Sequence, residues 1–338
     1  MKSKIILISV FFILMLTIPF LSKFINVKGS IEQIKAAFSE KLSDRKDILK
    51  DEKVSGFKVL DESTGEILDI NIRDFLLRSV ACEMDPDFET EALKAQTVAA
   101  FTYFKNLQKK QKINPSGELK GCDFKVNSEN KIYYMKEETL KEKWGENYEK
   151  YREKFSNIIE SVLGEVLKKD GEYIEALYFS ISSGNTENIK DVFGGEESYL
   201  VSVPSPYDKF SSGYLSKKEV TIKEFIETIE NKLNKTGIIS DQDNMIGQVE
   251  KTKTGMVKNI QIGNENIAGR KIREFFNLRS ANFDLERVDD KMIFTVRGYG
   301  HGVGMSQYGA NEMAKQGATY SQILCWYYKG VNLEKEEV

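Results

Sequence analysis

Four glycines alternate with other residues in segment 298–304, and no other feature restricts the structure of this chain as strongly. The segment reads GYGHGVG. Glycine adopts positive φ angles without a steric penalty and lets another backbone come very close. We therefore expect a loop here, followed by a helix that begins at Met305 or Ser306 and ends near Gln316.

The loop also contains His301, the only histidine of the chain. It is not a phosphate-binding loop, because it lacks both the Lys-Ser/Thr ending and the context of a dinucleotide-binding motif. A lone histidine is more often structural than catalytic, but a histidine placed among glycines serves no apolar core. We therefore favour a role for His301 in a site, where it would orient a carboxylate or a sugar hydroxyl.

A second candidate site lies at the joint between two predicted helices. Apolar spacing predicts one helix from Ile72 to about Met84, and the next is expected to start at Pro86, with Asp85 as its cap. Glu83 falls in the joint, where partial burial would raise the pKa of its carboxyl group. A general acid needs such a pKa. The competing interpretation, which periodicity alone favours, is an exposed carboxylate at a helix end.

A hydroxyl-rich turn is the third candidate site. It follows a strand predicted from Glu172 to Ser180, and it reads SSGNTE from Ser182 to Glu187. Hydroxyl groups and backbone amides in such a turn suit hydrogen bonds to a sugar, although ordinary turn chemistry explains the same residues. Nothing in the sequence supplies the base and the orienting residue of a catalytic triad, so Ser180 and Ser182 are not expected to be nucleophiles.

The N-terminus predicts a membrane anchor. Residues 5–21 are almost wholly apolar, follow Lys2 and Lys4, and approach the roughly 20 residues that a membrane-spanning helix requires. Because no small-x-small cleavage site follows, we expect an uncleaved anchor over 1–25 rather than a signal peptide. The positive-inside rule then places the rest of the chain outside the cytoplasm. With 49 basic and 52 acidic residues the net charge is −3, so a nucleic-acid partner is not expected.

The chain is expected to have three parts, which are the anchor at 1–25, a short amphipathic helix and charged stalk at 26–55, and a folded domain at 56–335. Within the domain, residues 57–72 predict a β-hairpin, and the polar, lysine-rich residues 105–167 predict a helical excursion that covers the core. The predicted fold class is α+β, with helices packed around a mainly antiparallel sheet. Residues 207–245 are polar and indicate neither a structure nor a role.

Together, these motifs resemble the stage II sporulation protein D and amidase-enhancer family. The resemblance runs from about Gly56 to Val331. Its most specific parts are Glu83-Met84, Glu91 to Gln96, Gly184 to Glu187, Gly298 to Gln307 and Tyr327 to Gly330. The resemblance implies a lytic transglycosylase that acts on peptide-stripped glycan strands of peptidoglycan during engulfment of the forespore. The predicted anchor ahead of the domain indicates a resemblance to the sporulation branch of that family.

The resemblance assigns the catalytic role to Glu83. As the family implies, Glu83 would protonate the oxygen between N-acetylmuramic acid and N-acetylglucosamine and then, as a carboxylate, take the proton from the muramic 6-hydroxyl. The ring closes to a 1,6-anhydro product, so no water is activated and no second carboxylate is needed. Hydrolysis normally needs two carboxylates, and as the weaker alternative it would use Asp85 or Asp87 as the base.

The same resemblance implies partners and a location. The partners are the glycan strands, a peptide-stripping amidase and a polytopic membrane protein. The location is the cell membrane, through the anchor at 1–25, with the domain in the space between mother cell and forespore. A non-catalytic, glycan-binding activator of an amidase is the alternative function, because the broader family includes enhancers of that kind.

Further residues are candidates for contacts with the substrate or for support of the site. They are Lys94, Gln96, Tyr178, Ser180, Ser182, Gly184, Thr186, Tyr199, His301, Gly302, Ser306 and Gln307. Two positions depart from the family pattern, since Phe101 stands where arginine is usual and Phe179 where a histidine is frequent. These departures remove polar groups that the resemblance would place near a substrate-binding groove.

No metal or other cofactor is expected. Family members commonly carry a Cys/His cluster that can hold zinc, but the corresponding stretch here runs from Asp123 to Lys131 and has lysine at the sulfur positions. Lysine cannot replace a thiolate ligand of zinc. Cys82, Cys122 and Cys325 show no metal-binding spacing. We expect them to be small buried hydrophobic residues, with at least one unpaired thiol.

Overall fold

The computed structural model describes residues 56–241 and 244–338. The anchor predicted over 1–25 and the helix and stalk predicted over 26–55 lie outside this part of the chain and stay predictions. Among the described residues, no helix is long and apolar enough to cross a membrane. The described residues form an α+β fold, which confirms the predicted fold class.

Short strands and helices alternate along the chain. The strands are β1 (Gly56–Asp61), β2 (Ile67–Asn71), β3 (Phe124–Val126), β4 (Glu165–Lys169), β5 (Glu172–Tyr173), β6 (Tyr178–Phe179), β7 (Leu215–Thr221), β8 (Ile246–Lys251), β9 (Val257–Ile262), β10 (Glu265–Ala268), β11 (Phe283–Val288), β12 (Lys291–Arg297), β13 (Met305–Ser306) and β14 (Asn332–Lys335). The α-helices are α1 (Ile72–Glu83), α2 (Thr90–Ile113), α3 (Glu137–Trp144), α4 (Tyr148–Val162), α5 (Ile189–Val192), α6 (Ile222–Leu233), α7 (Gly269–Phe275), α8 (Gln307–Lys315) and α9 (Tyr320–Tyr327).

The strands form several small sheets instead of the single sheet that the sequence led us to expect. Their strand orders are β2-β1-β3, β10-β9-β8, β11-β12-β7, β13-β6 and β14-β4-β5. Pairing is mainly antiparallel, as predicted, but β1 pairs with β3 and β6 with β13 in parallel. The sheet is divided because α2 lies at the centre of the main core and packs against β3, β4 and β5, which belong to two different sheets.

Helix α2 owes its central position to small side chains. Ala92, Ala95, Ala99 and Ala100 have no exposed surface, which confirms the small packing face predicted for this helix. Small residues let neighbouring helices approach closely, and α1, α4, α8 and α9 all pack against α2. Phe101, which stands where the family that the motifs resemble usually has arginine, is 1% exposed and belongs to the same core.

The first hairpin and the first helix follow the prediction. Strand β1 pairs with β2, with Phe57 opposite Ile70. Helix α1 begins after Asn71, whose side chain accepts a hydrogen bond from the backbone N–H of Asp74. The helix ends at Glu83, because the next residue takes an extended backbone conformation.

The predicted start of the second helix at Pro86 is wrong, since α2 begins at Thr90. The residues before it form a turn, in which the Asp85 carboxylate accepts a hydrogen bond from the N–H two residues further on at 2.9 Å. The Lys154 ammonium group donates to the carbonyl oxygens of Pro86 and Phe88 at 2.6 and 2.9 Å. The Lys154 side chain of α4 therefore binds carbonyl oxygens that would accept backbone N–H groups if the helix had a further turn here.

Residues 105–167 do more than cover the core. They include the end of α2, strand β3 and helices α3 and α4. Phe155 and Ile159 of α4 are buried in the main core, and α4 packs against both α1 and α2. This segment therefore helps to fix the joint between α1 and α2.

A second, smaller core is formed by α6, α7 and the sheets β11-β12-β7 and β10-β9-β8. The Phe276 ring lies between those of Phe225 and Phe294, at centroid distances of 5.2 and 4.9 Å. Residues 207–245, for which the sequence indicated nothing, supply β7 and α6. Helix α6 begins with a capping box of Thr221 and Glu224, so its start has a recognisable sequence signal.

Candidate active site

Glu83 ends α1 and lies half-buried at the joint before α2. Gln307 donates a hydrogen bond from Nε2 to Glu83 Oε2 at 3.4 Å, and the backbone of Tyr133 also hydrogen-bonds the carboxylate. Burial raises the pKa of the Glu83 carboxyl, and these hydrogen bonds, with the nearby charge of Lys143, offset only part of the rise. Glu83 therefore holds its proton more readily than an ordinary glutamate. Its catalytic role stays a prediction.

Two residues that the sequence did not indicate support Glu83. Tyr133 has a φ of 64°, a left-handed value that bulky residues rarely adopt. Its phenol hydrogen-bonds that of Tyr103 on α2. Lys143 on α3 donates from Nζ to the carbonyl oxygen of Ala81 at 3.0 Å, which keeps its charge near the carboxylate. A positive φ at a tyrosine leaves no signal in a sequence.

Buried polar atoms without partners lie around this joint. The hydroxyl of Tyr178 has no hydrogen-bond partner in 56–241 and 244–338, and its pKa is raised by burial and then by the charge of Glu83. The Ser79 hydroxyl, one helical turn before Glu83, and the Gln96 side-chain amide on α2 also lack partners there. An unmade buried hydrogen bond costs about 1–3 kcal/mol, so such atoms are candidates to bind a ligand or ordered water.

The glycine loop and the hydroxyl-rich turn, which are far apart in sequence, lie side by side. Strand β13 pairs with β6, and isolated backbone bridges join the two segments further along. All four glycines have positive φ angles, as predicted. At Gly304 a Cβ atom would lie 1.9 Å from the Leu177 carbonyl oxygen, so only glycine fits. The loop thereby brings Gln307, the first residue of α8, to Glu83.

His301 lies half-buried beside β6. Its Nδ1 accepts a hydrogen bond from the N–H of Val303 at 3.1 Å, and the ring also hydrogen-bonds the backbone of Tyr178. The rings of Phe179 and Phe193 flank it at centroid distances of 5.6 and 5.5 Å. Burial lowers the pKa of His301 to about 4, so the ring is neutral at pH 7. Its hydrogen bonds within the described residues are to backbone, so the role of orienting a carboxylate or a sugar stays a prediction.

A second buried carboxyl group, missed by the sequence reasoning, joins the turn to the glycine loop. Asp208 has no exposed surface. Its Oδ2 accepts a hydrogen bond from the backbone N–H of Ser182 at 3.0 Å, and its Oδ1 accepts one from the hydroxyl of Ser306 at 3.0 Å. Burial raises the pKa of Asp208, and these hydrogen bonds oppose the rise. The aspartate had no neighbouring motif in the sequence because its partners come from two distant segments.

The predicted serines lie around Asp208. Ser182 and Ser306 are buried and bonded within the protein, and Ser306 also caps α8 by accepting the N–H of Gly309 at 3.2 Å. Ser180 is half-buried, and its carbonyl oxygen accepts the N–H of Tyr308 at 3.1 Å. These residues fix the geometry of the loop and the turn, and contact with a substrate stays a prediction for each.

Three further predicted residues hold the turn and the loop in place. Gly184 is buried, and its N–H donates to the Ser182 hydroxyl at 3.1 Å. Thr186 accepts the N–H of Val203 at 2.9 Å through its hydroxyl. The carbonyl oxygen of Gly302 accepts the N–H of Glu187 at 2.7 Å. All of these bonds are internal to the protein.

Lys94 and Tyr199 have no contact with Glu83 among residues 56–241 and 244–338. Lys94 forms an ion pair with Glu91 at 2.8 Å. The Tyr199 hydroxyl accepts the backbone N–H of Glu175 at 3.0 Å and lines a separate polar cavity of about 400 Å³. Of the predicted contacts, Gln307 and Tyr178 are therefore the ones that the structure brings to Glu83.

Comparison with known proteins identifies the family. A family model described as Stage II sporulation protein matches residues 61–168. The stage II sporulation protein D of Bacillus subtilis (strain 168) is 35% identical over 313 residues, which cover 91% of this chain and 88% of that protein. The chain belongs to the stage II sporulation protein D family. Membership gives it a cell-wall-related role in sporulation.

Two further relatives widen the family. The stage II sporulation protein D of Bacillus amyloliquefaciens is 34% identical over 276 residues, covering 81% of this chain and 77% of that protein. A protein named amidase enhancer from Bacillus subtilis (strain 168) is 26% identical over 302 residues, covering 74% of this chain and 39% of that protein. The similarity to both groups matches the resemblance that the sequence motifs indicated.

The stretch where the resemblance would place zinc, from Asp123 to Lys131, has side chains that do not fit that metal. Asp123 accepts hydrogen bonds from the backbone N–H of Lys58 and from the side chain of Gln108, at 2.9 and 3.0 Å. Lys125 forms an ion pair with Glu62 at 2.9 Å. The described residues contain no group of three or more His, Cys, Asp or Glu side chains suited to a metal.

The three cysteines are free thiols in different environments. Cys122 is buried, as predicted, and Cys82 is half-buried, with a pKa raised to about 12 by burial. The prediction is wrong for Cys325, which is exposed because it lies on the outer side of α9. A thiol with a raised pKa is a poor nucleophile, so Cys82 does not compete with Glu83 for a catalytic role.

Proposed function

We propose that this chain is a lytic transglycosylase that cleaves the bond between N-acetylmuramic acid and N-acetylglucosamine in peptide-stripped glycan strands during forespore engulfment. The observation that supports it is the Glu83 carboxyl, which is half-buried, has a raised pKa and is bonded to Gln307 of the glycine-loop motif. A carboxyl with a raised pKa can act as a general acid and, once ionised, as a base.

The proposed reaction needs one protein carboxyl group. The Glu83 proton moves to the glycosidic oxygen as the bond from that oxygen to C1 of the muramic acid breaks. The Glu83 carboxylate then accepts the proton of the 6-hydroxyl of the same sugar while O6 forms a bond to C1. The products are a 1,6-anhydro end and a free hydroxyl on the leaving sugar, and Glu83 regains its proton. Gln307 and Lys143 favour the charged carboxylate between the two proton transfers.

The surroundings of Asp85 and Asp87, the candidate bases of the hydrolytic alternative, resemble those of ordinary surface carboxylates. Both side chains are exposed. Asp85 accepts the N–H of Asp87 at 2.9 Å, and Asp87 accepts the hydroxyl of Tyr151 at 3.1 Å. Neither is among the groups that shift the pKa of Glu83. A hydrolase would need its second carboxylate across the scissile bond, about 5–10 Å from the first, to activate water or attack the sugar.

The similarity to an amidase enhancer supports a second candidate function, which is a non-catalytic, glycan-binding activator of a cell-wall amidase. For either function, the proposed partners are the glycan strands, such an amidase and a polytopic membrane protein. We also propose that the chain is anchored in the membrane through 1–25, with its folded part between the mother-cell and forespore membranes. The proposed reaction uses no cofactor.

The masses of glycan products test the proposal. The full-length chain is incubated with peptide-free glycan strands, and the same assay is run with the Glu83→Gln and Asp85→Asn variants. We expect 1,6-anhydro ends from the wild type and from Asp85→Asn, and intact strands from Glu83→Gln. Reducing ends would support a hydrolase, and intact strands from the wild type together with faster turnover by an added amidase would support the activator.

A further inference from the structure

Three arginines beside the glycine loop form no ion pair within the residues that the structure describes. Arg270 and Arg273 lie on α7, and Arg279 follows it. Within 56–241 and 244–338, none of the three is in an ion pair, although Glu274 interacts with Arg273 electrostatically. Other arginines of the described chain do form ion pairs, namely Arg73, Arg78, Arg152 and Arg297. Arg273 and Arg279 donate to backbone carbonyl oxygens, of Leu278 at 3.3 Å and of Gly213 at 3.2 Å, so within the described residues these bonds leave the three positive charges without an ion pair.

Aromatic side chains join these arginines into one surface. The Arg270 guanidinium lies over the Phe193 ring at 5.9 Å, and that of Arg279 lies over the Tyr299 ring at 5.4 Å. Arg273 interacts electrostatically with Tyr299. Phe193 is 45% exposed and Tyr299 47% exposed, so both rings reach solvent. We call the surface of these five residues the arginine–aromatic patch.

The patch adjoins the candidate active site through His301 and Tyr178. The Phe193 ring contacts the His301 ring at 5.5 Å, and Arg273 is one of the charges that lower the pKa of that histidine. His301 hydrogen-bonds the backbone of Tyr178, whose phenol interacts with Glu83. These contacts place the patch next to the glycine loop and connect it to the Glu83 joint.

We propose that the arginine–aromatic patch binds the carboxylate groups of a peptide-stripped glycan strand next to the bond that is cleaved. This inference rests on the proposed function. Removal of the stem peptide converts the amide on each muramic acid into a free carboxylate on the sugar itself. Guanidinium groups bind carboxylates through paired, charge-assisted hydrogen bonds. Exposed aromatic rings offer apolar faces to the C–H groups of the pyranose rings, so the patch matches both features of such a strand.

Binding measurements on a cleavage-deficient protein test the proposal separately from the chemistry. The full-length chain with Glu83→Gln is titrated with three probes: peptide-free glycan, the same strands with their carboxylates converted to methylamides, and poly(glycerol phosphate). We expect the amidated strands to bind about tenfold more weakly than the free carboxylate form, and the difference to shrink as salt is added. Equal affinity for the first two probes would overturn the proposal, as would tighter binding of the phosphate polymer.

Arginine variants assign the effect to the patch. With Glu83→Gln as background, the double variant Arg270→Gln and Arg279→Gln should bind peptide-free glycan about tenfold more weakly, and the amidated strands as before. The double variant Arg73→Gln and Arg152→Gln is the control, because it also removes two arginine charges, at ion pairs outside the patch. Arg270→Lys with Arg279→Lys should recover part of the affinity, and thermal unfolding shows that each variant is folded. Equal losses for both glycans, or for the control, would contradict the proposal.

The two proposals can fail independently. If the wild type releases no 1,6-anhydro ends while the carboxylate preference is found, the patch stands and the reaction is wrong. If anhydro ends form but the preference is missing, the reaction stands and the patch is wrong.

Discussion

The joint around Glu83 and the cluster around Asp208 are two ways to bury a carboxyl group. Burial raises the pKa of both groups. Asp208 has no exposed surface and accepts two hydrogen bonds of 3.0 Å, from Ser182 and Ser306. Glu83 is half-buried, and its side-chain hydrogen bond from Gln307 is long, at 3.4 Å.

The difference separates a structural carboxyl from one suited to proton transfer. Asp208 is closed to solvent and its acceptors are used, so it can hold the turn and the loop together but has no path to a substrate. Glu83 is partly accessible and incompletely bonded, and it lies near the phenol of Tyr178, which has no hydrogen-bond partner among the described residues. The same physical cause, desolvation, therefore has a structural consequence at one site and a chemical one at the other.

The largest expected effect is on activity at the Glu83 joint. Glu83→Gln should lower the rate of glycan cleavage by about 10³-fold, because general acid–base catalysis commonly contributes that much. Stability at neutral pH should be unchanged or higher. A carboxyl whose pKa is raised by folding loses its stabilising contribution as the pH rises through the folded pKa, and glutamine does not titrate. Product assays measure the cleavage rate, and urea unfolding measures the stability. A variant that keeps its activity, or one that is unfolded, would contradict the contrast between Glu83 and Asp208.

Asp208→Ala should show the opposite pattern. It leaves the Ser182 N–H and the Ser306 hydroxyl buried without an acceptor, so we expect a loss of about 3 kcal/mol in the free energy of unfolding. The exposed Asp87→Ala serves as the control. Urea titration measures the effect. A variant of wild-type stability would show that the cluster does not hold the loop.

The glycine loop supplies a third, smaller effect. Gly304→Ala should destabilise the protein by about 2 kcal/mol, since both its positive φ and the nearby Leu177 carbonyl exclude a Cβ atom. Gly317→Ala has a positive φ but no atom within 4 Å of the added Cβ, so its loss should be about 1 kcal/mol. Thermal unfolding compares the two. Equal losses would mean that the contact with Leu177 is unimportant.

The smallest effect is expected at Gln307. Its N–H favours the charged form of Glu83, so Gln307→Met should raise the pKa of that carboxyl further. A general acid works while protonated, and activity falls as the pH rises through its pKa, so the falling limb of the pH–rate profile should move to higher pH. The rate at neutral pH should change by less than about tenfold, because a 3.4 Å hydrogen bond is weak. A limb that moves to lower pH would contradict the assignment.

Local patterns predicted much of the fold. The β1–β2 hairpin, helix α1, the positive φ angles of the glycine loop and helix α8 follow from residues that are close in sequence. The start of α2 was misplaced because Lys154, far along the chain, bonds the carbonyl groups of Pro86 and Phe88. The strands form several sheets instead of the predicted single sheet because α2 is buried among them. The burial of a helix depends on tertiary contacts, which local sequence patterns do not show.

Only part of the candidate site could be predicted, because local sequence patterns do not show tertiary contacts. Glu83 and Gln307 belong to motifs that the sequence displays, so they could be named. Asp208, Tyr133 and Lys143 could not be, because each acts through partners that only the fold brings near. Tyr133 in particular contributes its backbone, and a backbone contact places no demand on residue type.

Titration of the Glu83 carboxyl tests the central claim most directly. The ¹³C signals of side-chain carboxyl groups are followed against pH in the wild-type protein, and the signal missing from Glu83→Gln identifies Glu83. We expect a midpoint above the ordinary value of about 4.3 for glutamate. A midpoint at or below that value would contradict the assignment of Glu83 as the proton donor, because Glu83 would then behave as an ordinary exposed carboxylate.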